Sequence, residues 1–476
     1  MDRQHFTPSD IVADIWRTLE LPPEALNSLH LINDTECLPS SFKVAQLAQA
    51  TIASSALAAA TYHSLQHRSA VPNVTVPMEH ACVEFKSERL YTLDRNPPPS
   101  PWGPIGGLHK TKDGFVRVHD NFPIHRSNAL KILGLGENAS KGDVATKMLE
   151  WDSVKLETQA FCRGAVIAAL RSFDEWDAHP QSSAVSDSLI SLQRLTDTKP
   201  CILSGLDVAR GNKCLRGLRV VEMSRVIAAP VAGKTLAAHG ADVLWITSPT
   251  LPEQPALDRD LARGKRTVRL DIKQAADKEK LLELLRTADV FIQSFRPGSL
   301  ATQGLSREEL MKVNANLIVA SLSAYGTEGP WSQNRGFDSL VQTCSGINVA
   351  DAERFGGNEP VRVLPCQALD HGAGYLLATS IIAALYKRGT QGGAFEVHVS
   401  LAGVGKYLRS LGQYPDKTAF DRKDFANSED VEQYLETRDT QFGELRAVSH
   451  SVAIEGLEVG WDVMPKPLGS DAPAWA

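Results

Sequence analysis

Gly217-Leu-Arg-Val-Val-Glu-Met-Ser-Arg-Val-Ile-Ala-Ala-Pro230 reads as a strand, a turn and the opening of a helix. The apolar run at 218–223 has the length of a buried strand. The chain turns from Ser224 onward, and Pro230 suits a first helical turn, where its missing N–H leaves no bond unmade. Gly240 ends that helix, and Asp242-Val-Leu-Trp-Ile246 is the next strand. Strands at 267–271, 289–293 and 317–321, with an amphipathic helix over 278–287, continue the alternation. Strand–helix alternation at this spacing predicts a parallel sheet covered by helices. Ligands of such sheets bind beyond the carboxyl ends of the strands, so the loops 224–230, 294–300 and 322–338 should carry the chemistry.

Working outward, residues 1–80 read as mostly helical, with an Ala-rich stretch over 45–62 and a strand beginning at Val74-Thr-Val76. Pro97-Pro-Pro-Ser-Pro101 is a linker. Residues 102–180 read as a small α/β unit, with a strand at 115–119 and helices at 124–133 and 156–170. A soft seam at 180–216 contains His179-Pro-Gln-Ser-Ser-Ala-Val-Ser-Asp and Ala209-Arg-Gly-Asn-Lys, both loop compositions. The expected division is a helical segment (1–84) packing on the large domain, a small α/β domain (85–181), a linker (182–216), a Rossmann-like parallel-sheet domain (217–405) and a C-terminal tail (406–476). A weak internal echo links 56–62 followed by Val74-Thr-Val76 to 381–386 followed by Val397-His-Val399. Matching Tyr62 to Tyr386 sets Gln46 opposite Asp370. If the echo is a repeat, the first half is a degenerate copy without a nucleophile.

The chain has 476 residues, 43% hydrophobic and 22% charged, with a formal charge of −6. That balance fits a soluble enzyme and argues against general nucleic-acid or anionic-membrane binding. No uninterrupted apolar run reaches membrane-spanning length, and Met1-Asp-Arg-Gln-His5 does not open a secretory leader. The seven cysteines are widely spaced, with no Cys-x-x-Cys pair. This argues against a disulfide framework and a zinc ribbon, so a cytoplasmic setting is expected and no metal site. Cys344 and Cys366 flank Asp370, but no histidine pairs with either in the pattern.

Asp370 stands in Leu364-Pro-Cys-Gln-Ala-Leu-Asp-His-Gly-Ala-Gly374, at the mouth of a long apolar helix. Gly372 and Gly374 let a substrate or a second backbone approach closely. The amides of the helix N-terminus and its partial positive charge should keep the carboxylate ionised. An accessible carboxylate is a nucleophile toward an activated acyl group. The plain alternative is an N-cap aspartate.

Several segments together resemble the family III CoA-transferases, the CaiB/BaiF family. They are 217–230, Gly264-Lys-Arg-Thr-Val-Arg-Leu-Asp-Ile-Lys273, Ala288-Asp-Val-Phe-Ile-Gln-Ser-Phe-Arg-Pro-Gly298, Ser323-Ala-Tyr-Gly-Thr-Glu-Gly-Pro330 with Arg335-Gly-Phe-Asp338, and Leu369-Asp-His-Gly-Ala-Gly374. The small domain precedes the catalytic half, whereas in the family it follows. The resemblance therefore implies duplicated or rearranged halves, and either a homodimer or an intrachain pseudo-dimer. It implies transfer of CoA from an acyl-CoA donor to a carboxylic acid through an aspartyl anhydride at Asp370, with the CoA thioester as substrate and no permanently bound cofactor. It implies that Val226, Ile227 and Ala228 run along the CoA, with Arg335 near it. The glycine loop, at Gly326 and Gly329, is positioned to stabilise the oxyanion or shield the anhydride. Arg263, Lys265 and Arg266 form a basic cluster suited to the CoA phosphates, or else a solvated face. Arg296 lies in its Arg-Pro-Gly turn. Thr302 stands where some members have a CoA-binding arginine. The family also holds α-methylacyl-CoA racemases, whose histidine base aligns with Phe337 here, leaving His371 as the substitute. His239 reads as a helix-end residue. The third alternative is a CoA-binding protein without catalysis.

Overall fold

The computed structural model describes the chain apart from residues 1, 2, 34, 36, 204–211 and 416, so part of the expected seam, including 209–211, lies outside the described residues. Seven strands form the central sheet. In chain order they are β1 (Ser191–Arg194), β2 (Arg219–Met223), β3 (Asp242–Thr247), β4 (Lys265–Arg269), β5 (Val290–Gln293), β6 (Ile318–Ser323) and β7 (Phe395–Ser400). Their spatial order is β4-β3-β2-β5-β6-β7-β1. β2 through β7 run parallel, and β1 lies antiparallel on β7. The winding direction reverses between β2 and β5, which opens a crevice there at the carboxyl edge. Buried on both faces, the middle strands are apolar nearly throughout, as Val220-Val221 and Val290-Phe291-Ile292 illustrate. One expectation needs correcting: the region taken as a linker supplies β1. Its alternation spans four residues and only Leu192 is even half-buried, too faint a pattern to distinguish from loop.

Five helices frame the site: α1 (Val44–His67), α2 (Ala228–Ala238), α3 (Asp338–Cys344), α4 (Ala368–Gln391) and α5 (Leu401–Ser410). α4 is the hub and packs against both α1 and α2. At its crossing with α2, a Cβ on Gly374 would lie 2.5 Å from the Ala228 carbonyl oxygen and 2.6 Å from the Val231 Cβ. The glycine therefore admits a second backbone. By length and composition α4 is apolar enough to cross a membrane, yet its most apolar window is wholly buried among other elements. No such run was expected, because Gly, Ser and Thr interrupt it in the sequence.

α1 and α4 are both 24 residues long. The parallel strands Leu29–Ile32 and Val74–Pro77 flank α1, as β6 and β7 flank α4. Gln46 and Asp370 are each the third residue of their helix. The echo thus takes the form of two strand–helix–strand units whose long helices pack together.

Gly107–Lys110, Phe115–Val118 and Ile167–Ala169 form an antiparallel sheet with its own apolar cluster over 105–167. The helix expected over 156–170 is instead Ser153–Arg163; it stops at Gly164, whose φ of 71° suits glycine. The expected tail is stitched into the fold. Leu435–Thr440 and Gly443–Val448 pair together and then with Thr92–Leu93, while Ala453–Ile454 pairs with Val74 and Thr75.

Candidate functional site

Asp370 lies in the first turn of α4 and is 6% exposed. It is not the N-cap; Gln367 is, and its side chain makes no cap bond. The amides of Leu369 and Asp370 donate to Asp338 Oδ2, at 2.8 and 3.0 Å. Asp338, at the start of α3, thus takes the helix-end amides expected to serve Asp370. Its Oδ1 accepts from Gln342. With the Gln367 amide oriented to satisfy its neighbours, Oδ1 also accepts from Gln367 at 3.2 Å. Burial, and next the like charges of Asp338 and Glu88, push the Asp370 carboxyl well above the usual carboxylate range. These surroundings favour its acid form, against the pull toward the carboxylate expected from the helix end.

A cavity of ≈ 280 Å³ opens at Asp370. Its walls include Val226, Ile227, Leu257, Phe337, His119 and the strap 97–102. The His119 ring stacks on Phe337 with centroids 3.8 Å apart and planes within 2°. Burial, then His125 and Arg117, push the His119 imidazole down to about 3, so it is neutral at physiological pH. Glu88 Oε1 accepts from Arg89 Nε at 3.1 Å, and its Oε2 lies 3.0 Å from His371 Nε2. His371 is turned to Glu88 and stacks on Phe85, and it does not line the cavity.

A second cavity, ≈ 220 Å³, fills the crevice beyond β2, β3, β4 and β5 and is lined by Arg225, Trp245, Thr247, Lys273, Phe295 and Gln303 among others. The two cavities share Val226. That residue has φ 71°, an uncommon backbone for a β-branched side chain. The turn Ser224–Val226 thus connects the switch-point crevice to Asp370. Immediately after it, α2 starts without a side-chain cap, leaving first-turn amides for another acceptor.

Residues 215–428 match the family description CoA-transferase family III. An acetyl-coenzyme A transferase from Hypoxylon pulicicidum is 32% identical over 209 residues, 43% of this chain and 35% of that protein. An acyl-CoA transferase from Gibberella moniliformis is 26% identical over 310 residues, 62% of this chain and 54% of that protein. The similarity to CoA-transferase family III thus spans a little under half of the chain. The chain spans only about a third to a half of the length of these two relatives. A crystal structure of a Mycobacterium tuberculosis protein aligns at 30% identity over 42% of this chain and 59% of that one, with a TM-score of 0.38.

Within the family III segment the structure brings Val226, Ile227 and Asp370 to one cavity. Ala228 sits just behind, its carbonyl against Gly374. The basic cluster does not form a phosphate cradle. Arg263 is 1% exposed, bonds Asp260 at 2.5 Å and the Val448 carbonyl at 2.7 Å, and stacks on Trp461. Lys265, also 1% exposed, bonds Glu222 at 2.8 Å and the Pro230 carbonyl at 2.7 Å. Arg266 is held by Asp242 at 2.7 Å and by the Ala474 carbonyl. The alternation of β4 explains this: its side chains are consumed by the sheet and by the returning C-terminal segment.

The glycine loop is likewise engaged elsewhere. The Gly326 amide donates to Ser323 Oγ at 3.0 Å, and a Cβ on Gly329 would meet Ala184 and Gln181 at 2.5 and 2.6 Å. Neither glycine lines the Asp370 cavity. Arg335 is half-buried beside Gly164, outside both cavities, and Arg296 donates to the Gln333 carbonyl. Thr302 bonds the Ser299 carbonyl. His239 is fully buried, near His450. Among the described residues Arg225 and Lys273 line the crevice without an ion-pair partner; Arg225 donates to the Pro252 carbonyl and stacks on Phe122. Both stand in the family-like motifs: Arg225 directly precedes Val226, and Lys273 follows Arg266 by seven residues. His119 and Arg89 gave no signal, since they come from segments far away in the chain.

Proposed function

We propose that the protein is a CoA-transferase in which Asp370 is the nucleophile toward an acyl-CoA. The supporting observation is a buried carboxyl group at the floor of a largely apolar cavity that joins, at Val226, a crevice lined by Arg225 and Lys273. In this reading the crevice holds the phosphate-bearing part of CoA, with the two cations facing its charge. The thioester reaches past Val226 to Asp370.

The exchange would run as follows. An Asp370 oxygen attacks the thioester carbonyl, the C–S bond breaks, and CoA leaves as thiolate with the acyl group held as an anhydride. The thiolate attacks the aspartyl carbonyl and expels the donor carboxylate, leaving an aspartyl–CoA thioester. The acceptor carboxylate attacks that carbonyl and releases the thiolate. The thiolate then takes the acceptor acyl group, which restores the Asp370 carboxylate. No net proton is consumed. The uncapped first turn of α2 is the supply of amide donors for the oxyanions, in place of Gly326 and Gly329.

Because the surroundings of Asp370 favour its acid form and attack needs the carboxylate, the rate should rise with pH beyond the ordinary carboxylate range. Asp370→Ala is expected to abolish transfer while retaining CoA binding by calorimetry. Turnover in that variant would remove the assignment.

A racemase reading has one observation in its favour. Phe337 occupies the expected base position, but the neutral His119 stacks directly on it and lines the same cavity. His119 and Asp370 would then exchange an α-proton. Solvent deuterium uptake at the α-carbon, lost in His119→Phe, is its test. The seven cysteines are free thiols, which suits a cytoplasmic setting.

A further inference from the structure

We infer that the acid handled at Asp370 is a monocarboxylic acid with an apolar body, and that small dicarboxylates are rejected. This rests on the transferase reading above and adds the substrate class. The juxtaposition that carries it is a strap of prolines closing an acid-floored, single-cation cavity.

The floor is acidic. Asp338, Glu88 and Asp370 all line the cavity, and Arg89 is the sole arginine or lysine among its described lining residues. Arg89 is itself held by Glu88 at 3.1 Å and, with Gln367 suitably oriented, by the Gln367 amide oxygen at 3.0 Å. Its side chain is 38% exposed, but its charge is already shared with Glu88. The free carboxylate that a dicarboxylate-derived thioester carries on its acyl body therefore finds no unpaired cation among the described lining residues. It would be desolvated beside Asp338 and Glu88, which like-charge repulsion disfavours.

The opposite wall offers little hydrogen bonding. Pro97, Pro98, Pro99 and Pro101 lack backbone N–H groups, so this strap cannot act as an amide nest for an anion. Trp102 follows, 43% exposed, with its ring 6.1 Å from His119 and edge-on to it. Phe337, Leu257, Val226 and Ile227 complete an apolar surface. His119 is neutral and gives no counter-charge. An aliphatic or aryl body gains by burial here, whereas a charged terminus loses.

The test uses the full chain with hexanoyl-CoA, phenylacetyl-CoA, succinyl-CoA and oxalyl-CoA. Wild type is quenched with hydroxylamine and the Asp370 adduct measured by intact mass. Binding of the same four to Asp370→Asn is measured by calorimetry. Hexanoyl- and phenylacetyl-CoA are expected to label at least tenfold faster than the two dicarboxylate-derived thioesters, and to bind at least tenfold tighter. Equal or preferential labelling and binding of succinyl- or oxalyl-CoA overturns the inference while leaving the nucleophile in place. Preferential binding of the apolar pair with no adduct from any donor removes the transferase reading but keeps the selectivity. Absence of binding by all four overturns both. Trp102→Arg, at an exposed position, sets a cation at the mouth and should narrow the hexanoyl-to-succinyl ratio severalfold. An unchanged ratio counts against charge as its cause.

Discussion

A carboxyl group that burial and two acidic neighbours push toward its neutral form is a costly residue to keep, and in the proposed transferase it starts as a weak nucleophile. The cost has a sign and a pH window. In the unfolded chain Asp370 ionises near pH ~4. In the fold its affinity for the proton is raised, so the folded state holds a proton the unfolded state releases. Its contribution therefore weakens stability as pH climbs from the ordinary carboxylate range toward the raised value. Asp370→Asn carries no such dependence. Its melting temperature should match wild type near pH 4 and exceed it at pH 8, a difference scanning calorimetry reads directly. The sequence marked Asp370 as a candidate through its position and glycines. It could not expose Asp338 as the taker of the helix-end amides, because that depends on α3 meeting α4 in space. Nor could it separate the cations that pair internally from those that stay unpaired. Arg263 and Arg225 look alike as letters and differ only in what packs around them.

At the scale of elements that contrast becomes a measurement. Arg263 ties α2, the helix Pro255–Leu261 that carries Asp260, and the C-terminal strands together, since Asp260 also holds Lys234 at 2.7 Å. Arg263→Ala leaves Asp260 buried and half-compensated, a loss of roughly 3–5 kcal/mol in urea unfolding. Arg225→Ala should leave the urea midpoint nearly unchanged and raise KM for acyl-CoA about tenfold or more, as loss of a charge-assisted contact predicts. The α2–α4 crossing provides another test. Gly374→Val pushes a branched side chain into the Ala228 carbonyl and Val231, and overpacking of this kind costs about 1–3 kcal/mol. Because Ala228 follows the Val226–Ile227 wall, the same variant should lower activity more than its stability loss explains. The strands of the sheet were readable from their apolar runs, since a strand buried on both faces has to be apolar, but their spatial order was not. Nor was β1, because an edge strand needs no such run.

For the whole molecule, the paired strand–helix–strand units raise the question of how many sites a chain holds. In the first unit the residue matching Asp370 is Gln46, whose amide lies 3.4 Å from Tyr414 and lines neither of the two cavities. Equilibrium dialysis should find one acyl-CoA per chain, and two would mean that the first unit has kept a site. The division into domains was the least readable part. The strands of the segment expected as a tail, 406–476, complete sheets begun by residues 74–77 and 92–93.

That closure has a consequence in time. α1 is apolar on nearly every side and is buried chiefly by α4, about 300 residues later in the chain. At translation rates of roughly 5–20 residues per second, a sticky Ala-rich helix waits on the order of 15–60 s for its partner to be synthesised. The nascent chain must be guarded for that interval. Yield of the intact protein should therefore depend on holdase chaperones and on how fast the ribosome reaches α4.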